Sequence, residues 1–461
     1  MSIPDPFSSP VIGIDLGASF TKVAYRPGWT KSYSYSHPCR LGMIGGSALV
    51  PSLVVHKKTG RLQWLCGKKA AAYRSVEGDK VFSNWKADLF SKSFSSAISG
   101  SVTAAGAFFQ WLHGEVSSCG INVEDCRVKL CLPAFDDIQE ATSILGQQME
   151  LSGWNNISVS RILEPRANTI GVFSEGRNRL NRSGPDGEVT PFFMGMYPMG
   201  SPLLEHLRSF SLADGVAGTK LALIDVGSFT SDFSIVDFDA TSEGDYIARA
   251  AQTSHKLGII EAFEEPLFDH LDHEHRINRE ELTFDEREAI KQALSTGGRF
   301  TVTIHGGRNV TVGTPGDHRA AEKIANKLAA RLRAVYDSET QGRTIKYLLL
   351  TGGGSAAPRV HSAIQNAFEG CGARWIQVEG VEGDTGETNL LRKWPDTGEP
   401  LARVATALGA ASVLADLPAG VPRKDLPQIR VVSPWIVCSC RGGNKDCVRC
   451  GGRGMYRRAG S

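Results

Sequence analysis

The chain has 461 residues, so it is too long for one hydrophobic core and is expected to form two units with additional segments. Its 51 Lys and Arg residues nearly balance its 49 Asp and Glu residues, and the net charge of +2 gives no global attraction to nucleic acid or an anionic membrane. No apolar run has the roughly 18 residues of a transmembrane helix, and residues 1–10 lack the features of a signal peptide. A cytoplasmic location is therefore expected.

Residues 11–25 (VIGIDLGASFTKVAY) form the first predicted element, an apolar strand that ends at Asp15, a turn of small and hydroxyl residues, and an apolar return strand. In such a turn, backbone N–H groups and hydroxyls can face phosphate oxygens while the carboxylate holds a hydrated magnesium ion. Lys22 begins the return strand, where it can face solvent.

Residues 221–240 (LALIDVGSFTSDFSIVDFDA) repeat this design in the second half of the chain. Asp225 ends the first strand, and Thr230 and Asp232 begin the second. One such turn is also compatible with an ordinary β-hairpin. Two copies predict duplicated lobes that face one another across a nucleotide.

These two segments resemble the phosphate-1 and phosphate-2 loops of the actin-like ATPase superfamily, and the DnaK-type heat-shock chaperones are the best-matching members. The resemblance continues in order along the chain, in residues 128–146, 162–176, 248–271, 288–296 and 347–360. It covers most of residues 11–412. It implies an α/β fold of the two-lobed actin-like (ribonuclease H-like) kind, with duplicated βββαβα lobes and with ATP and Mg²⁺ bound between them.

In the first lobe, Glu164 precedes a proline at a predicted helix N-terminus, where its carboxylate can orient a water molecule or complement the helix dipole. By resemblance, Glu164 lies near the γ-phosphate, and Lys86 resembles the chaperone lysine that reaches the γ-phosphate and the attacking water. A surface lysine is the alternative for Lys86. The resemblance also assigns to ligand binding the first-loop residues Asp15, Gly17, Ala18, Ser19 and Lys22. Lys22 resembles the lysine that actins, rather than chaperones, place over the phosphates, and a solvent-facing residue is the alternative.

In the second lobe, Glu288, Lys291 and Gln292 are spaced to share one helix face. The resemblance assigns that face to ribose and base, whereas the spacing alone also suits an ordinary charged surface. The segment TGGGS after a buried strand allows the backbone to lie against a nucleobase, and a flexible linker is the alternative. The residues implied in binding here are Gly227, Ser228, Phe229, Thr230, Asp232, Gly352, Gly353, Gly354 and Ser355. His273 and His275 suit either a metal or a solvated loop.

Four positions depart from the chaperone pattern. Ala18 replaces a hydroxyl in the first loop, and Ser228 and Phe229 replace two glycines in the second. Ala356 stands where an arginine would stack on adenine, which weakens the expected choice of adenine over guanine. These departures favour nucleotide binding with weak hydrolysis.

The C-terminal segment has four cysteines, Cys438, Cys440, Cys447 and Cys450, with the spacing C-x-C-x6-C-x2-C. Four thiolates so close together suit one tetrahedral zinc ion, and in a cytosolic chain zinc is favoured over disulfides. Part of this segment also resembles a repeat of the DnaJ cysteine-rich region. Its basic residues either bind nucleic acid or offset the thiolate charge. The other cysteines are scattered and are expected to be buried free thiols: Cys39, Cys66, Cys119, Cys126, Cys131 and Cys371.

The predicted organisation is an actin-like lobe I (1–176), an insertion (177–220), an actin-like lobe II (221–417), a linker (418–434) and a zinc-binding tail (435–461). There is no room for the chaperones' peptide-binding domain, so capture of peptides by that route is not expected. The insertion is expected to cover the cleft or meet a partner, with a loose tether as the alternative.

The predicted function is that of a nucleotide-driven conformational switch with weak Mg²⁺-dependent ATPase activity. Asp15 and Asp225 would hold the magnesium ion through water, Thr230 would contact phosphate, and Glu164 and Lys86 would position the attacking water. A protein partner would bind through the zinc tail or the insertion. The alternatives are a polymerising actin-like filament protein and a nucleotide-sensing scaffold without hydrolysis.

Overall fold

A computed structural model describes residues 9–27, 39–59, 63–90, 96–155, 157, 162–175, 219–241, 244–304, 307–375, 399–412, 435–437 and 455–457. The architecture is mixed α/β, with two larger sheets, smaller sheets and helices. The described part of residues 9–175 is called the first half, and that of residues 219–412 the second half. None of the helices among these residues combines the length and apolar character needed to cross a membrane.

The first half is built around a mixed sheet in the order β3-β2-β1-β8-β9, with β4 also paired to β2. Its elements are β1 (Val11–Leu16), β2 (Phe20–Arg26), β3 (Arg40–Leu41), β4 (Val50–Pro51), β5 (Val54–His56), β6 (Trp64–Cys66), α1 (Gly67–Ala71), β7 (Lys80–Phe82), α2 (Trp85–Leu89), α3 (Ser96–Ser118), β8 (Arg127–Leu132), α4 (Gln139–Leu151), β9 (Ile162–Leu163) and α5 (Glu164–Glu175). Strand β1 pairs antiparallel with β2 and parallel with β8. Every residue of β1 is buried, as expected for a central strand covered on both faces.

The second half has a sheet in the order β12-β11-β10-β15-β16. Its elements are β10 (Thr219–Val226), β11 (Ser231–Thr241), β12 (Gly244–His255), α6 (Glu265–His275), α7 (Phe284–Thr296), β13 (Phe300–Ile304), β14 (Arg308–Val312), α8 (Pro315–Glu339), β15 (Tyr347–Thr351), α9 (Pro358–Ala367), β16 (Arg374–Trp375) and α10 (Leu401–Ala411). Strand β10 pairs antiparallel with β11 and parallel with β15. The two larger sheets therefore share strand order and strand direction.

Helix ends follow local sequence signals. Thr283 and Glu286 form a capping box at the start of α7, and Thr314 and Asp317 form one at the start of α8. Helix α7 ends at Gly297, which has a φ of 78°, a left-handed conformation that glycine adopts without strain. These signals explain where α7 and α8 begin and where α7 ends.

One expectation about the histidines is wrong. His273 and His275 lie in the last turn of α6 and not on a loop, because the helix continues to a left-handed cap at Arg276. His275 Nε2 is 2.9 Å from Asp317 Oδ1, whereas His273 is exposed.

Helices α5 and α10 cross at a point where their backbones are in close contact. Gly171 of α5 lies against the Ala405 carbonyl, and Gly409 of α10 lies against the Ala167 carbonyl, so that an added Cβ at either glycine would overlap the facing backbone. Helix α10 also packs on β1, β2 and β8 of the first half, and α5 packs on β10, β11 and β12 of the second. Each half thus contributes a helix to the other half's sheet.

The six scattered cysteines all lie among the described residues, and none of them forms a disulfide there. Four of them are buried, in agreement with the expectation: Cys39, Cys66, Cys126 and Cys131. Cys119 is exposed, because it follows the last turn of α3, and Cys371 is partly buried. The four cysteines of the predicted zinc site lie outside the described residues.

Candidate functional site

A cleft lies where the turns of the two hairpins β1–β2 and β10–β11 meet the beginnings of α5 and α10. Its volume is about 630 Å³, including the part open to solvent. The predicted site residues that line it are Asp15, Gly17, Ala18, Lys22, Lys86, Glu164, Asp225, Gly227, Ser228, Phe229, Thr230, Asp232, Gly352 and Gly353. The structure thus brings together residues from distant parts of the chain.

The first hairpin contributes an ion pair to the cleft. Asp15 faces Lys22 across the β1–β2 ladder, and Lys22 Nζ is 2.9 Å from Asp15 Oδ2. The turn is fixed from behind by Ser52, whose hydroxyl donates to the Gly17 carbonyl at 2.6 Å and whose backbone N–H donates to the Ser19 carbonyl. This support preorganises the turn that carries Asp15.

The second hairpin contributes two carboxylates at the equivalent register positions. Asp225 faces Asp232 across the β10–β11 ladder, so the position of Lys22 in the first hairpin is occupied by an acid in the second. Asp225 Oδ2 accepts hydrogen bonds from Asn168 Nδ2 at 2.7 Å and Thr406 Oγ1 at 3.4 Å. Those donors come from α5 and α10, so the carboxylate rests on the crossing of the two helices.

Glycines allow the backbone to close around the second turn. Gly352, with a φ of 94°, lies so close to Asp225 that a Cβ would overlap its carboxylate. Gly227 N–H donates to the Thr230 carbonyl at 2.9 Å, and Gly258 packs on the Ser228 backbone. The Asp225 turn is therefore framed by three glycine-containing segments.

Lys86 and Glu164 form a buried ion pair at the cleft, with Lys86 Nζ 2.6 Å from Glu164 Oε1. Burial would lower the pKa of Lys86, but the charge and hydrogen bond of Glu164, together with the charges of Asp15 and Asp232, outweigh burial and raise the pKa. Burial raises the pKa of Glu164, despite the attraction of Lys86. The pair joins α2 to the beginning of α5. Because Lys86 is buried, the alternative of a surface lysine at this position is wrong.

The electrostatics of the cleft are dominated by acids. Burial, followed by the charge of Asp15, raises the pKa of Asp225 to about 7. Burial, followed by the charge of Glu164, raises the pKa of Asp232 well above its ordinary value. With Asp15 and Glu164, these acids make four carboxylates against the two ammonium groups of Lys22 and Lys86. When all six of these groups are ionised, the two lysines balance only two of the four carboxylate charges.

Within the described ranges, no three His, Cys, Asp or Glu side chains form a ready-made set of metal ligands. Asp232 Oδ1 is nevertheless buried without a hydrogen-bond partner, and a cation bound here would favour the ionised forms of Asp225 and Asp232. A divalent ion here would have to complete its coordination with water or ligand oxygens, which is the usual habit of magnesium.

Some predicted site residues do not line the cleft. Ser355 is buried and donates to the Gly352 carbonyl at 2.8 Å, and Gly354 packs under Ile259. Lys291 pairs with Glu288 at 2.5 Å and with Glu264 at 2.6 Å on the α7 surface. The residues placed outside the lining are Ser19, Glu288, Lys291, Gln292, Gly354 and Ser355.

Sequence reasoning missed several residues of the site. Phe20, Ala402, Arg403 and Thr406 line the cleft, and Asn168 lies directly beneath it. Polar residues inside the apolar helices α5 and α10 are the one available signal, because a buried polar side chain needs a partner. That signal does not tell where the partner lies in the chain.

No family model matches this chain, and no curated protein matches it either. The function is therefore inferred from the chemistry of the cleft.

Proposed function

We propose that the protein is a two-lobed actin-like ATPase of the DnaK type, with the cleft as its Mg²⁺–ATP site. The observation that carries this proposal is the pair of hairpins with matching register, Asp15 with Lys22 and Asp225 with Asp232, that face one cleft. The shared strand order of the two sheets supports it, because a duplicated lobe predicts that order.

In this proposal Asp15 and Asp225 hold magnesium through its water shell. Magnesium keeps several waters and pairs with few carboxylates when it binds phosphates, which suits a cleft without a complete ligand set. The ion would supply the charge that the excess carboxylates lack, and would neutralise charge on the transferring phosphoryl group. The unpartnered Asp232 Oδ1 is available to a metal-bound water.

The protein's own groups bind and orient the rest of the ligand. Thr230 and the turn amides contact phosphate oxygens, and Glu164 orients the attacking water while Lys86 holds Glu164 in place at 2.6 Å. Gly352 and Gly353 let the backbone approach the nucleoside. The helix face of Glu288, Lys291 and Gln292 would contact the ribose and base. Lys291 would then interact with the ligand while it also pairs with Glu264 and Glu288.

Phosphate release and Mg²⁺–ATP binding test this function in wild type, Asp225→Ala and Glu164→Gln. We expect Asp225→Ala to weaken Mg²⁺-dependent binding by roughly tenfold or more. Glu164→Gln should bind ATP but release little phosphate. Asp337→Ala is the control, because Asp337 is an acid of similar type on the exposed face of α8.

If Asp225→Ala binds Mg²⁺–ATP as tightly as the wild type does, the proposal is contradicted. Binding without phosphate release by the wild type would instead identify the non-hydrolysing scaffold.

We also propose that the C-terminal cysteines bind one zinc ion in a cytoplasmic protein and present the tail to a protein partner. Strands β17 (Trp435–Val437) and β18 (Met455–Arg457) pair antiparallel and bracket the cysteine segment, with Val437 directly before Cys438. This pairing brings the two ends of the segment together, as a compact metal site requires. Metal analysis should find zinc in the wild type and little in a variant with Cys447→Ser and Cys450→Ser; a zinc-free wild type would contradict the assignment.

A further inference from the structure

Arg403 is a cleft residue that the proposed mechanism leaves without a role. It lies near the beginning of α10 and lines the cleft, and its Nε would be 3.8 Å from a Cβ added at Gly353. Its guanidinium lies 5.9 Å from the centre of the Phe20 ring, in the first hairpin. Arg403 therefore spans the space between the first hairpin and the glycine turn after β15.

Arg403 differs from the two cleft lysines in where its ion-pair partner lies. Lys22 and Lys86 each pair with a carboxylate that itself lines the cleft. Arg403 pairs with Glu399 at 2.9 Å, and Glu399 precedes α10 outside the cleft lining. Turning Arg403 towards a ligand therefore removes no counter-charge from the buried acids, whereas moving either lysine would.

An anionic ligand in this cleft needs such a cation. The acids lining the cleft outnumber the two lysines, so a phosphate chain would meet repulsion that a divalent ion only partly relieves. A guanidinium matches phosphate oxygens with two parallel hydrogen bonds and stays charged at any physiological pH. The Phe20 ring supports the flat guanidinium plane while it changes partner.

We propose that Arg403 binds the phosphate chain of the ligand, exchanging its ion pair with Glu399 for phosphate oxygens. This inference rests on the proposed function only in naming a nucleotide as the ligand. Binding of a phosphate chain by Arg403 does not depend on that function. Arg403 is on the same helix as Thr406, which contacts Asp225, so the phosphate contact and the Asp225 contact are made by one rigid element.

The test compares wild type, Arg403→Gln, Arg403→Lys and Glu399→Gln in binding three probes: Mg²⁺–ATP, magnesium with inorganic triphosphate, and adenosine. We expect Arg403→Gln to weaken binding of the first two probes roughly tenfold, equivalent to about 1.4 kcal/mol, and to leave adenosine unchanged. Arg403→Lys should retain part of the affinity, and Glu399→Gln should bind both phosphate probes more tightly because it releases the guanidinium.

Arg333→Gln is the matched control. Arg333 also pairs with an acid four residues away, Asp337 at 2.8 Å, and lies over the Tyr336 and Phe368 rings, but it is on α8 away from the cleft. It should bind every probe like the wild type. Equal thermal midpoints would show that the variants are folded.

The inference is overturned if Arg403→Gln binds the phosphate probes like the wild type, if it loses adenosine equally, or if Glu399→Gln weakens binding as much as Arg403→Gln. Wild-type protein that binds inorganic triphosphate through Arg403 but no nucleotide would sustain this inference and contradict the proposed function. Protein that binds neither phosphate probe would contradict both.

Discussion

Lys22 and Asp232 occupy equivalent positions in two hairpins with the same backbone register, and this one difference changes the charge of the hairpin. The first hairpin neutralises its own acid through the Lys22–Asp15 pair. The second places Asp232 beside Asp225, and both acids are buried. The second hairpin therefore places two buried acids side by side, and a bound cation would favour their ionised forms.

This arrangement predicts a pH dependence of stability in metal-free protein. The pKa of Asp225 rises from an ordinary value of 3.8 to about 7 on folding, so the native state holds a proton that the unfolded chain has released. The free energy of unfolding should therefore fall as pH rises from about 4 through about 7, by at most about 4 kcal/mol from this group. Urea unfolding in the presence of a chelator measures it.

Asp225→Asn should flatten this dependence, because it removes the titrating group. Asp232 and Glu164, whose pKa values are also raised, would leave a residual slope of the same sign. Asp337→Asn, on the exposed face of α8, should keep the full slope. An unchanged slope in Asp225→Asn would show that Asp225 ionises normally in the folded protein.

At the residue scale, the repeated strand and turn pattern was enough to find Asp15 and Asp225, because both follow an apolar strand directly. Asn168 and Arg403 were not found. Their partners or neighbours in the cleft, Asp225 and Phe20, are distant in the chain, and spacing within a helix carries no information about them.

At the scale of elements, the crossing of α5 and α10 joins the two halves beneath the cleft. The crossing is close because Gly171 and Gly409 each face a backbone carbonyl of the other helix. The sequence predicts a helix that begins near Glu164, but it does not predict α10 or the sheet that either helix covers. Several individual elements were therefore predictable from the sequence, whereas the packing between the halves was not.

Substitution at the crossing should be destabilising. Gly171→Ala and Gly409→Ala each place a methyl group against backbone that cannot rotate away, so we expect a loss of roughly 1–3 kcal/mol or more in the free energy of unfolding. Gly114→Ala in α3 is the control, because the space around Gly114 is open. That change should stabilise by up to about 1 kcal/mol through helix propensity. Thermal or urea unfolding compares them, and a neutral result at both crossing glycines would mean that the helices lie farther apart.

At the scale of the whole molecule, the two halves also touch on either side of the cleft. On one side, Phe229 of the second hairpin packs on Phe135 of the first half, with ring centres 6.2 Å apart. On the other, Phe284 of α7 packs on Phe20 with ring centres 5.4 Å apart. Near Phe284, Arg74 pairs with Glu286 at 2.6 Å. Phe20 and Phe229 both line the cleft, so these contacts join the two halves beside it.

Weakening the Phe284 contact should accelerate ligand exchange. Phe284→Ala removes an edge-to-face ring pair and part of a small shared core, so we expect release of a fluorescent ATP analogue to be roughly tenfold faster. Phe300→Ala, in the separate β13–β14 hairpin, is the control and should not change the rate. Unaltered release from Phe284→Ala would mean that the ligand leaves by a route that does not involve this contact.

Hydrogen–deuterium exchange with and without Mg²⁺–ATP tests whether a ligand binds between the two halves, because it reports on both hairpins in one measurement. We expect Mg²⁺–ATP to slow exchange of turn amides in both hairpins, residues 16–20 and 226–231, and we expect Asp225→Ala to lose this protection. Unchanged exchange in both turns, or protection confined to one of them, would contradict a ligand held between the two halves.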